Sequence, residues 1–300
     1  MTRLTLAKHH GLGNDFLVLL DLDGTMPIDA VLARAVCDRH RGIGADGLIR
    51  VTRPAGWRGR AGADGAGAGA GADGAGGGAD GAVLAFELLN ADGSPAEMSG
   101  NGMRCLGQAA LDAGLVTADE PFVVATPAGP RTVTVRPGVG PAEAWSSVDM
   151  GRAVITVGGG EPCNVGHGQL RVNLGNPHLV VLGPDPAGVK VAELGPVLEA
   201  SVPGGQNVEF VALGPGPDEI TMRVWERGVG ETLACGTGAC AAAVAVLRWG
   251  RVGHRVTVHQ LGGDALVEVG DDGSVILSGP AQLVAVCLVD VDRVRARVVA

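Results

Sequence analysis

Cys235-Gly236-Thr237-Gly238-Ala239-Cys240-Ala241-Ala242-Ala243-Val244-Ala245-Val246-Leu247 is apolar nearly all round a helical wheel. The spacing predicts a helix over 236–249. A helix with no polar face must be buried on every side. Around it the chain offers short runs rich in Val, Leu, Ile and Thr, bounded by Gly, Pro, Asn or Asp. These read as strands over 4–6, 16–20, 83–89, 131–136, 171–174, 208–213, 219–225, 255–260 and 265–269. A fully buried helix among many short strands implies a sheet wrapped around a helix. Two further helices are expected, over 28–39 and 100–113.

The helix at 236 has a counterpart. Ser99-Gly100-Asn101-Gly102 opens the helix at 100, 136 residues before Cys235-Gly236-Thr237-Gly238. Nine residues before each cap stands a polar residue at a strand end, Asn90 and Glu226. Upstream, Leu12-Gly13-Asn14 matches Leu174-Gly175-Asn176 at a separation of 162. The first half therefore holds 26 extra residues between its motifs, about the size of a stretch, 61–82, built only from Gly, Ala and Asp. Such a stretch buries too little surface to offset its ordering entropy. We read 54–82 as a disordered loop. Its removal brings the halves into register. The fold class is α+β: two pseudo-symmetric domains, each a curled, mainly antiparallel sheet around a central helix. The halves span 1–138 and 139–282.

Composition narrows the function. Three hundred residues suit two domains of about 150 each. The net charge of −9, with no Lys/Arg-rich run, argues against nucleic-acid or membrane-surface partners. The N-terminus lacks the apolar region of a signal peptide. The longest apolar run, 239–247, is half of the roughly 18 residues a membrane span needs. A cytoplasmic protein is expected. Cys37, Cys105, Cys163, Cys235, Cys240 and Cys287 are scattered and suggest no disulfide framework. No Cys/His grouping has zinc-ligand spacing, so no metal site is expected.

The chemistry lies at the helix starts. A helix N-terminus presents unpaired N–H groups and partial positive charge. Glycines let a ligand approach the backbone. The site suits a carboxylate, and it is expected to lower the pKa of a capping cysteine toward about 7 or below. Cys235 stands where that shift applies. Cys37, Cys105, Cys163, Cys240 and Cys287 read as small hydrophobes. Two such starts facing each other would flank a substrate α-carbon, one group removing its proton and the other returning a proton to the opposite face. That scheme needs neither a pyridoxal lysine nor a metal.

At these residues the chain resembles the diaminopimelate epimerases. The matching motifs are His10-Gly11-Leu12-Gly13-Asn14-Asp15-Phe16, the run from Asp38 to Gly47, Asn90-Ala91-Asp92-Gly93-Ser94, and Gly100-Asn101-Gly102-Met103-Arg104-Cys105. The second half adds Gly175-Asn176-Pro177-His178, Asn207-Val208, the run from Glu226 to Thr232, and Ala234-Cys235-Gly236-Thr237-Gly238. The resemblance implies interconversion of LL- and meso-diaminopimelate in lysine and peptidoglycan precursor synthesis. It also implies no cofactor, a homodimer, and a final strand, 283–300, returning to the first half. By position it implies that Asn14, Asn90, Asn176, Asn207, Glu226 and Arg227 hold substrate, with the backbones of Gly100, Asn101, Gly236 and Thr237. It implies that His178 and Glu226 support the acid/base chemistry of Cys235 and Ser99.

The chain departs from the family pattern at Ser99, where a cysteine is expected. It also departs at Gly47, where some members carry a larger polar residue. Cys105 cannot substitute for Ser99, because it lies about 9 Å along the helix. A hydroxyl is a much weaker acid than a thiol. Three readings stay open from sequence: an epimerase in which Ser99 relays a proton, a slow or non-catalytic amino-acid binder, and one-sided chemistry of a lyase or dehydratase type.

Overall fold

The computed structural model describes residues 3–54, 81–140, 142–156, 168–183 and 185–299. The expected loop at 54–82 lies almost wholly outside these residues, and so does Cys163. The first half contains β1 (Arg3–Gly11), β2 (Asn14–Leu20), α1 (Ala30–Cys37), β3 (Gly47–Thr52), β4 (Leu84–Asn90), β5 (Pro95–Ala96), α2 (Gly100–Asp112), β6 (Phe122–Ala125), β7 (Arg131–Pro137) and β8 (Glu143–Arg152). After β9 (Val154–Thr156) come β10 (Gly168–Asn173), β11 (Pro177–Leu182), α3 (Val191–Glu199), β12 (Asn207–Leu213), β13 (Glu219–Glu226), β14 (Gly230–Thr232) and α4 (Gly236–Arg248). The chain ends with β15 (Arg255–Gln260), β16 (Gly263–Val269), β17 (Ser274–Asp290) and α5 (Val291–Val299).

The strand pairings repeat. β1 to β4 pair antiparallel, parallel, antiparallel in turn, β4 runs parallel to β6, and β7 and β8 follow antiparallel. β10 to β13 pair in the same sequence of directions, β13 runs parallel to β15, and β16 and β17 follow antiparallel. β17 closes the first ring by pairing with β8 and then, beyond Gln282, with β1. β9, continuing the line of β8, closes the second ring on β10. Two barrels thus share the β8–β17 seam. Each barrel is closed, which removes unpaired edges.

A helix runs through each barrel. Every residue of α2 from Gly100 to Ala110 is buried, and α4 is buried almost throughout from Gly236 to Val246. α4 meets the expectation from its all-round apolar sequence. α2 differs in carrying Asn101, Arg104 and Gln108 into the interior. These polar groups find partners: Gln108 donates to the Ala142 carbonyl and faces His9, and Arg104 donates to the Pro280 carbonyl.

Two expectations need correction. The final strand over 283–300 ends at Asp290, and the residues after it form α5. Asp290 accepts from the Arg293 N–H and so starts the helix, while Val291 and Val294, three apart, pack with Leu32 and Val36 of α1. That spacing puts both valines on the face of α5 that meets α1. α3 was not expected because Gly195 and Pro196 interrupt it. Tertiary packing overrides propensity there: a Cβ on Gly195 would lie 2.4 Å from Trp225 Cγ, so only glycine permits this approach.

Around the start of β2 an ion cluster joins Lys8, Asp15, Arg39 and Asp46. Burial alone would raise the Asp15 carboxyl. Hydrogen bonds from Arg39 and Lys8 and their charges outweigh it and hold the group at about 2. A depressed carboxylate stabilises the fold above its unfolded value and loses that contribution as pH falls through its folded value. Asp15→Asn is expected to lower stability at pH 7 by about 1 kcal/mol, discounted for solvent screening. Urea denaturation at pH 7 and pH 3 should show the difference shrinking at the lower pH. A pH-independent difference would contradict this account.

Candidate active site

Ser99 and Cys235 occupy matching positions. Ser99 caps α2 with φ −141° and ψ 121°, and its Oγ accepts the Gly102 N–H at 3.0 Å. Cys235 caps α4 with φ −125° and ψ 118°, and its Sγ accepts the Gly238 N–H at 3.4 Å. In each case the third helical residue must be small. A Cβ on Gly102 would lie 3.3 Å from Ser99 Oγ, and one on Gly238 would lie 3.3 Å from Cys235 Sγ. The caps consume the N–H of the third residue only. The earlier N–H groups, on Gly100 and Asn101 and on Gly236 and Thr237, have no intrahelical partner.

The two helix starts are in contact. A Cβ on Gly100 would lie 2.7 Å from Leu277 Cδ2, and one on Gly236 would lie 2.9 Å from the same atom. The Asn101 side chain donates to the Ala234 carbonyl at 3.3 Å, immediately before Cys235. A positive, donor-rich pair of helix ends is thereby brought to one place.

Around Cys235 the site is acidic and enclosed. Glu226 accepts a hydrogen bond from Thr232 and lies close enough to Cys235 for its charge to act on the thiol. The Cys235 N–H donates to Gln260 Oε1 at 2.9 Å. His178, fully buried, faces Glu209 Oε1 through Nδ1 at 2.6 Å and Asn176 Oδ1 through Nε2 at 3.0 Å. The Asn176 amide donates to Thr237 Oγ1, which lies 3.5 Å from Cys235 Sγ. A continuous polar chain therefore runs from Glu209 to the thiol.

The expectation of a lowered Cys235 pKa is overturned. Burial pushes the thiol well above its usual value, and the charges of Glu226 and Glu209 push it further. The hydrogen bonds from Thr237 and Gly238 act the other way and do not compensate. Burial likewise raises the Glu226 and Glu209 carboxyls. Cys235 is a neutral thiol beside the Glu226 carboxyl. Cys105 and Cys240, buried within their helices, are pushed up to about 12 by burial.

The expected site residues divide as follows. Gly100, Asn101, Gly236, Thr237, Asn14 and Asn176 are joined at the helix starts, with Asn14 Oδ1 accepting from Asn101 Nδ2 at 3.0 Å. Asn207 Oδ1 accepts the Arg227 N–H, fixing the loop that follows Glu226, while the Arg227 guanidinium donates to the Gly204 carbonyl. Asn90 is engaged elsewhere: its amide donates to Ser94 Oγ and its N–H to the Ser94 carbonyl, closing a turn. Gly47, opposite Asn90 in the ladder, has no room for a larger residue, because a Cβ there would lie 2.9 Å from the Leu89 carbonyl oxygen.

Sequence reasoning missed Glu209, Gln260, Asp46 and Arg104. Glu209 had a legible signal, a lone carboxylate inside the apolar run Val208-Glu209-Phe210-Val211. Asp46 and Arg104 lie inside the quoted motifs without anything in the spacing to mark their role, and Gln260 had no signal. Among the described residues no group of three or more His, Cys, Asp or Glu is placed to hold a metal ion, and no helix is long and apolar enough to cross a membrane.

Comparison with known proteins agrees with this geometry. The family model described as diaminopimelate epimerase matches residues 6–156 and 170–284. A diaminopimelate epimerase of Mycobacterium avium is 42% identical, covering 94% of this chain and 95% of that one. One of Desulfitobacterium hafniense is 37% identical over 94% and 96% of the two chains. Solved structures share the fold at low identity. A phenazine biosynthesis protein of the PhzF family from Bacillus anthracis aligns with TM-score 0.70 at 14% identity, over 97% of this chain and 100% of that one. A hydroxyproline epimerase from Agrobacterium vitis aligns with TM-score 0.64 at 16% identity, over 96% and 92%.

Proposed function

Because the chain belongs to the diaminopimelate epimerase family, we propose that it interconverts LL- and meso-diaminopimelate by moving one α-proton between the two faces of its carbon. The enzyme is an isomerase, and lysine biosynthesis follows from the family. The observation that carries the mechanism is the pair of matching caps, Ser99 and Cys235, on helix starts that touch.

In this reading the substrate α-carboxylate lies on the N–H groups of Gly100, Asn101, Gly236 and Thr237. Glu226 accepts the Cys235 proton, and the thiolate removes the α-proton. The charge that develops on the carboxylate is met by the same N–H groups. Ser99 returns a proton to the opposite face. Solvent replenishes it, because Ser99 is half-buried whereas Cys235 is buried. The reverse reaction exchanges the two roles. Asn14, Asn176, Asn207 and Arg227 hold the rest of the substrate, and His178 supports Cys235 through Asn176 and Thr237. Asn90 joins the binding set by exchanging Ser94 for the ligand. The two halves act as two walls of the site, a division supported by the matched strand order of β1–β8 and β10–β17, which sets the boundary after β8 rather than at 138.

The same reading makes the enzyme a cytoplasmic homodimer. Val284, Val286 and Leu288, each more than half exposed, form an apolar strip on one face of β17 that a second copy would cover.

Turnover in deuterium oxide tests the reading. Each isomer should acquire one α-deuterium with inversion. Exchange with retention would mean a single working base, and absence of exchange in both isomers would remove the epimerase reading.

A further inference from the structure

Arg104 lies on α2, one turn beyond Asn101, and is fully buried. No carboxylate pairs with it among the described residues. Its Nη1 donates to the Pro280 carbonyl at 2.8 Å, its Nη2 donates to Asn101 Oδ1 at 2.5 Å, and its Nε has no partner. The surroundings are built for it: a Cβ on Gly279 would lie 2.3 Å from Nη1, and one on Gly11 would lie 3.1 Å from Nη2. An unpaired buried charge is costly unless something compensates it, so its presence beneath a helix start needs a reason.

The hydrogen bonds supply one. A guanidinium only donates, so Asn101 must turn Oδ1 toward Arg104. Asn101 Nδ2 then donates to Asn14 Oδ1 at 3.0 Å and to the Ala234 carbonyl at 3.3 Å. Asn14 must in turn direct Nδ2 to Asp46 Oδ2, at 2.7 Å, and an ionised carboxylate only accepts. Asp46 is itself held by Arg39 and by the Asp15 N–H. The chain Arg104–Asn101–Asn14–Asp46 therefore has one polarity, set identically from both ends. It ties residues two positions after Ser99 and one position before Cys235.

We propose that Arg104 and Asp46 are positioning residues that clamp the two helix starts together, and that the unneutralised Arg104 charge makes the clamped site select a carboxylate over an uncharged group. Burial lowers the guanidinium to about 10, so it remains charged at neutral pH. A charge there adds to the field of the Gly100 and Asn101 N–H groups, and bonds to ionised groups are stronger than neutral ones. The inference rests on the carboxylate position given under the proposed function.

Calorimetric binding of diaminopimelate and of its bis-carboxamide tests it, because binding does not require turnover. The change in the ratio of the two Kd values between wild type and variant cancels losses at the distal end of the ligand. Arg104→Met should lower the preference for the carboxylate at least tenfold, and Arg104→Lys should restore much of it. A merely structural arginine would weaken both ligands alike, and an unchanged ratio in a folded Arg104→Met protein would overturn the proposal. Asp46→Asn tests the other end at a partly exposed position. It removes the fixed polarity and should reduce kcat/KM about tenfold without changing the Kd ratio. Wild-type kcat/KM in Asp46→Asn would overturn the clamp. If the wild-type protein instead fails to exchange the α-proton, the epimerase reading fails, and that result is separate from either of these.

Discussion

Cys235→Ala is expected to reduce kcat by about 10³- to 10⁴-fold for both isomers, the range that a positioned acid/base group supplies. Cys235 caps α4 beside Glu226, at the position matching Ser99 on α2. The fold should survive, since the change costs only the Gly238 cap bond, on the order of 1 kcal/mol. Deuterium incorporation measured by NMR is the readout. Activity within tenfold of wild type would show that another group is the base. The pH profile carries a second signature. Burial raises both the Cys235 thiol and the Glu226 carboxyl. The acid limb of kcat/KM should therefore lie above the usual carboxylate range. A limb at ordinary carboxylate pH would contradict the enclosed thiol–carboxylate pair.

Ser99→Cys should raise kcat by about 100-fold, because a thiol donates and recovers a proton far more readily than a hydroxyl. The structure favours the exchange. The cap dihedrals at 99 and 235 nearly coincide, and each cap faces a glycine three residues on that leaves space for sulfur. The gain should appear in both directions, since each isomer uses Ser99 as acid in one direction and base in the other. A decrease in kcat in a folded Ser99→Cys protein would mean that the second proton travels by another route.

Much of the fold was legible because its determinants are local. The all-round apolar run of α4 required a surrounding sheet, and the repeat of Gly-rich helix starts, with the 26-residue excess in the first half, disclosed two matched halves. α3 and α5 were not legible. Packing against Trp225 outweighs Gly195 and Pro196 in α3, and the three-residue spacing of Val291 and Val294 is too short a pattern to distinguish from a strand end. At the site, motif spacing located the caps and most of the asparagines. Asn90 shows the limit: its motif also contains Ser94, and a local turn bond satisfies the amide.

The amino-acid order by itself determined the two capped helix starts, Ser99 and Cys235 among them. Capping depends on a side chain and the N–H three residues later, which is information contained in a short segment. Only the tertiary structure decided the acidity of Cys235, the Glu209–His178 pairing and the Arg104–Asn101–Asn14–Asp46 chain. Acidity depends on desolvation and on through-space charge, and neither is a property of spacing along the chain. Asn101 and the Ala234 carbonyl are 133 residues apart, and only closure of the shared seam brings them within a hydrogen bond.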